Sequence, residues 1–149
     1  MDKNLSFQDP NDLVDLAGYL KRALRLDGAG AVRLRAFGSV LAIYVSPIYA
    51  GSLLGDGLTV IGLRTLNLTS ENELDSLFTI EDLLAAVEKS IENEELFLAP
   101  PKAAARVGWA GISPPRQGWV RAGEVEQVKI SAWAKDGIAA VAEALPESI

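Results

Sequence analysis

The chain has 149 residues, with 20 acidic against 14 basic side chains and a net charge of −6, and it contains neither histidine nor cysteine. Without cysteine there is no disulfide, thiolate metal site or thiol nucleophile. Without histidine the usual general base and imidazole ligand are gone. Serine–histidine–aspartate and cysteine–histidine catalysis are therefore excluded for this chain alone.

One domain over residues 9–149 is expected, behind a flexible polar lead-in over residues 1–8. The start, Met1 to Pro10, has no basic region followed by an apolar run, so no signal peptide is expected. No stretch approaches the ~20 apolar residues of a spanning helix. The reading is a cytoplasmic protein that does not contact membrane.

Asp9 can cap a first helix, Pro10 suits its first position, and Asp12 favours its positive end. Leu13, Leu16, Ala17, Leu20, Ala23 and Leu24 fall on one arc of it, and Asp27-Gly28-Ala29-Gly30 stops it. A first strand, Ala31 to Phe37, alternates: Val32, Leu34 and Ala36 on one face, Arg33, Arg35 and Phe37 on the other. Gly38-Ser39 reads as a turn into Val40 to Ser46, apolar on both faces as a central strand is, and ended by Pro47. After a Gly-rich connection over residues 47–57, Leu58 to Leu66 reads as a third strand, with Gly62 a bulge or close-packing point.

Residues 69–79 read as a polar linker. Thr79 caps a second helix over Ile80 to Glu92, with Ile80, Leu83, Leu84, Val87 and Ile91 as its apolar stripe. Leu96-Phe97-Leu98 suits a short fourth strand before Pro100-Pro101. Residues 99–122 hold four of the seven prolines and two of the three tryptophans, which suggests an ordered covering loop. A last helix spans about Val125 to Ala144, with Ile130, Trp133, Ala134, Gly137, Ile138, Val141 and Leu145 on one face. The expected fold is α+β: a three- to four-stranded, mainly antiparallel sheet packed with three helices in the order α-β-β-β-α-(β)-loop-α, each helix covering a core.

Charge is segregated along the chain. Residues 21–64 hold six basic and two acidic side chains, residues 71–95 hold nine acidic and one basic, and residues 102–121 hold four basic and none acidic. The favoured reading pairs these segments across the fold. A second gathers the basic residues into a patch for an acidic partner protein. A third gives that patch to nucleic acid or a phosphorylated ligand, against which the net charge argues.

Arg33 and Arg35 share a strand face, Arg22 and Arg25 one side of a helix, and Arg116 and Arg121 lie in the loop. Together they form the candidate surface for a partner or an anion. The segment Trp109 to Trp119 is the most distinctive: Trp109, Pro114, Pro115 and Trp119 could line a groove, with Arg116 as anchor. In the competing reading the two indoles seal the edge of the core. Gly28-Ala29-Gly30 and Gly51 to Gly57 lack the residues of a phosphate loop. Glu92, Glu94 and Glu95 lack the alternation and glycine of a calcium loop. No catalytic, cofactor or metal residue is nominated.

Leu24-Arg25-Leu26-Asp27-Gly28-Ala29-Gly30-Ala31-Val32-Arg33-Leu34-Arg35, Trp109 to Trp119 and Gly137 to Glu143 are similar to uncharacterised proteins of high-GC Gram-positive bacteria. No activity is assigned to that group, so the resemblance transfers no functional residue. It implies that the native chain continues past Ile149. The functional expectation is a non-enzymatic protein–protein interaction or adaptor module. The alternatives are a nucleic-acid-associated regulator using the basic face, and a small-ligand-binding protein or enzyme with its site near the Trp/Pro loop. A protein partner is expected, and a homodimer is compatible with the exposed sheet edges of a short sheet.

Overall fold

A computed structural model of the protein describes residues 4–48, 59–104, 107–111, 115 and 117–144. Helix α1 (Pro10–Leu26) begins as its sequence dictates: Asp9 Oδ1 accepts the Asn11 N–H at 2.8 Å, and Pro10 occupies the first turn. Its face of Leu13, Leu16, Ala17, Leu20 and Ala23 is buried. Helix α2 (Ile80–Glu92) is capped by Thr79, whose hydroxyl accepts the Asp82 N–H at 3.0 Å, and it buries Ile80, Leu83, Leu84 and Val87.

Between them in sequence lie two long antiparallel strands, β2 (Ala31–Ile48) and β3 (Val60–Thr79). Two short strands, β1 (Leu5–Ser6) and β4 (Phe97–Leu98), form a second antiparallel pair. A single bridge, Phe7 to Leu68, joins that pair to β3, and the Phe7 N–H also donates to the Leu96 carbonyl at 2.8 Å. The α+β class holds, built from two two-stranded sheets.

Helices α1 and α2 pack against each other and onto one face of the β2–β3 ribbon. Val32, Leu34, Ala36, Leu41, Ile43 and Val45 of β2 meet Leu66, Leu68 and Phe78 of β3 there, with Leu5, Phe7 and Leu98 closing the end. Removing each such side chain from water stabilises the fold by about 1.5–3 kcal/mol, before the opposing entropy of ordering.

Four expectations need correction. Residues 5–7 are no loose lead-in: Leu5 and Phe7 are 1% and 2% exposed and knit the chain's start to β3 and β4. Gly38-Ser39 makes no hairpin turn, and the two strands expected around it are one. Gly38 takes the left-handed conformation (φ 59°), and the register then jumps from Gly38 opposite Asn72 to Val40 opposite Asn67. One residue of β2 thus faces four of β3, a bulge that bends the ribbon without ending it. Residues 69–79 are not a linker but the second half of β3. Their acids mask a true alternation, in which Leu74 and Phe78 face the core while Glu73 and Asp75 face away. The expected 47–57 connection falls largely outside the described residues.

The fourth correction concerns the last helix, α3 (Gln127–Ala144), which runs unbroken through Gly137 as expected but covers no core. Val128, Ile130, Trp133 and Ile138 are exposed. Its apolar stripe lies outside both clusters of buried side chains. No helix among the described residues is long and apolar enough to cross a membrane.

Candidate functional site

The ribbon's other face carries Arg33, Arg35 and Phe37 before the bulge and Val40, Ala42 and Tyr44 after it. Opposite them on β3 stand Leu77, Asp75, Glu73, Asn67, Thr65 and Leu63. One end of this face is covered by a single 3-10 turn, Gly108–Gly111. Trp109 and Ala110 of that turn are buried against Tyr44, with Ala31, Ala42, Ile61, Leu77 and Val107 around them. Trp109 therefore seals a second, smaller core.

Arg33 ties three segments together. Its Nε and Nη2 each reach an oxygen of Asp75 at 2.8 Å, and its Nη1 donates to the Ala110 carbonyl at 2.6 Å. The hydrogen bond with Asp75 raises the Arg33 pKa above its ordinary value. Burial opposes that, and the charges of Asp75 and Tyr44 add to it. The guanidinium thus staples β2 to β3 and to the covering turn.

Arg35 is in a different situation. Asp75 is its cross-strand neighbour in the ribbon, yet that carboxylate is bound to Arg33. Arg35 Nε is buried and has no hydrogen-bond partner. Beside it opens a cleft of about 320 Å³, floored by Phe37, Val40 and Tyr44 and walled by Leu63, Pro115 and Trp119. Phe37, Leu63 and Trp119 present large apolar surfaces to solvent here. The Trp119 indole N–H donates to the Pro115 carbonyl at 2.6 Å, which holds these two residues together as a strap beside the cleft, with Gly118 at a positive φ of 85°. With its donor already satisfied, the indole contributes ring surface to the cleft.

Two other hollows are larger. One, of about 430 Å³, lies where Arg33, Asp75 and the Ala110 turn already satisfy one another. The other, of about 650 Å³, lies between the bulge of β3 and Pro100-Pro101, with Glu71 and Glu73 at its rim. Among the described residues, neither is lined by a buried polar atom short of a partner, which is what distinguishes the Arg35 cleft. Among the described residues, no three histidine, cysteine, aspartate or glutamate side chains gather where they could hold a metal ion.

The arginines nominated from sequence are dispersed. Arg22 and Arg25 are exposed on α1, on the helix-covered side of the ribbon, away from Arg33 and Arg35. Arg121 pairs with its near neighbour Glu124 in the exposed segment before α3. Arg116 and Pro114 lie outside the described residues. Two residues of the basic 21–64 segment pair with the acidic 71–95 segment, Lys21 with Glu88 at 3.3 Å and Arg33 with Asp75, while Arg64 pairs with Asp15 of α1 at 3.6 Å. Of the groove residues, Pro115 and Trp119 meet at the cleft while Trp109 does not. Phe37, Val40, Tyr44, Leu63 and Thr65 were not foreseen there. The alternation that put Phe37 beside Arg35 was the available signal for the first of them.

The family model of a domain of unknown function (DUF8010) matches residues 1–111. The match ends at the last residue of the covering turn, so both cores and Arg35 lie inside it, and the strap and α3 lie beyond it. No curated protein and no solved structure matches the chain. With most of its length matched, the chain belongs to the DUF8010 family.

Proposed function

We propose that this protein is a non-enzymatic interaction module, and that its open ribbon face at Arg35 takes an acidic, apolar segment of a partner protein. One observation carries the reading: a buried guanidinium nitrogen without a partner stands at the wall of a mostly apolar cleft. An unpaired buried donor costs about 1–3 kcal/mol, a penalty that an arriving acceptor removes. The exposed rings of Phe37 and Trp119 supply the apolar contact that such interfaces use at their centre. The absence of histidine and cysteine from the chain favours binding over catalysis.

The test is selection from a random peptide library displayed on phage, using the whole chain as bait. Enrichment of sequences that combine an acid with aromatic or branched apolar residues, lost with Arg35→Glu, is the expected result. Enrichment of basic sequences, or equal enrichment by Arg35→Glu, would overturn the reading.

A further inference from the structure

Resting on that reading, we infer that the Arg35 cleft receives the chain-terminal carboxylate of a peptide whose last residue is aromatic or branched and apolar. Among the described residues the cleft is lined by one cation, Arg35. Of the two arginines on this face, Arg33 already spans Asp75 and the Ala110 carbonyl, so only Arg35 lacks an anion. A single guanidinium matches a singly charged carboxylate, held through two parallel N–H···O bonds. A phosphate, with nearly twice the charge and three acceptor oxygens, would be left half-neutralised.

The rest of the lining is apolar apart from the hydroxyl-bearing Thr65 and Tyr44, which offer hydrogen-bonding groups for a peptide backbone. About 320 Å³ accommodates one large side chain with its backbone, not an extended run of residues. Two sides of the cleft are closed. Tyr44 abuts the Trp109–Ala110 turn at one end, and the Pro115–Trp119 strap bounds another. An internal aspartate or glutamate would need the chain to leave in both directions, whereas a chain end enters from one. Trp119 lines the same cleft as Arg35, which makes that indole a reporter of binding.

The experiment uses the full chain with Trp133→Phe, read by tryptophan emission, and four probes. These are a hexapeptide ending in phenylalanine with a free carboxylate, its C-terminal amide, an amidated hexapeptide with an internal glutamate beside phenylalanine, and N-acetyl-phenylalanine. The free-ended peptide is expected to bind, with the amide and the internal acid each weakened by about tenfold or more. Arg35→Gln should show the same loss for the free-ended peptide while keeping the wild-type melting temperature. Arg35→Lys, which keeps the charge but not the planar fork, should recover only part of it. Equal binding of acid and amide, or tighter binding of the internal glutamate, would overturn the terminal-carboxylate inference and leave the interaction reading standing. Binding of N-acetyl-phenylalanine as tight as the peptide's would move the site to small acids and overturn the peptide assignment. No binding by any probe would remove the interaction reading as well.

Discussion

Asp75 stands directly across the ribbon from Arg35, yet its carboxylate is bound, through both oxygens, to Arg33 two positions along the strand. This diagonal choice separates two chemically identical residues on one face into a staple and a vacant cation. It yields opposite expectations for the two. Arg33→Ala should destabilise the fold by about 2–3 kcal/mol, because it strands Asp75 and releases the Ala110 turn. Arg35→Met should leave the fold at least as stable as the parent, and up to about 1–3 kcal/mol more stable, since it removes a buried donor that had no partner. Chemical denaturation of the two variants checks the contrast, and equal losses would contradict it.

Tyr19 presents a second unsatisfied group. Its hydroxyl is buried without a partner, and burial raises its pKa above the ordinary phenol value, with Arg64 pulling the other way. The fold therefore favours the neutral phenol. That contribution is intact below about pH 10 and is lost as pH rises through the raised value. Tyr19→Phe should be as stable as the parent, or up to about 1 kcal/mol more stable, at neutral pH, and should unfold less readily above pH 10. Thermal melts at pH 7 and pH 10.5 read both effects.

Gly30 joins α1 to β2 at the point where the second helix begins. A Cβ there would lie 2.8 Å from Ile80 Cδ1 and 3.0 Å from the Asp27 carbonyl oxygen. Gly30→Ala should cost about 1–3 kcal/mol through that crowding. Gly28→Ala, two residues earlier, meets nothing within 4 Å and serves as the control.

Helix α3 should behave as a separate unit. Outside both cores, an 18-residue helix is held by its own hydrogen bonds alone, a marginal state in water. Amide hydrogens over residues 127–144 are expected to exchange within seconds to minutes, while those of Val32, Leu34 and Leu83 exchange only on global unfolding. Protection of α3 equal to that of α2 would show that it is covered in solution.

Helices α1 and α2 were legible almost to the residue, because cap and stripe agreed in each: Asp9 for α1, reinforced by Pro10, and Thr79 for α2. The ribbon was less so. Gly38 at positive φ is as compatible with a bulge as with a turn, and only the long-range pairing of β2 with β3 decides between them. The strand at residues 72–79 was hidden by its acids, whose charge belongs to the outer face and not to a linker. At α3 a clean apolar stripe met no covering surface, since periodicity reports a face and not what lies against it. The cleft was half visible. Alternation placed Arg35 with Phe37, and the strap residues Pro115 and Trp119 were singled out. That Arg33 would take Asp75 and leave Arg35 without it depends on a diagonal contact between residues 42 positions apart.

The most direct test of the binding face is nuclear magnetic resonance of the arginine side chains. The Nε–H signals of Arg33 and Arg35 are followed while the whole chain is titrated with the free-ended phenylalanine peptide. The account predicts a saturable downfield shift of the Arg35 Nε–H, which gains an acceptor, while the Arg33 signal stays put in its bond to Asp75. An Arg35 signal that does not move at millimolar peptide, or an Arg33 signal that moves in its place, would contradict it.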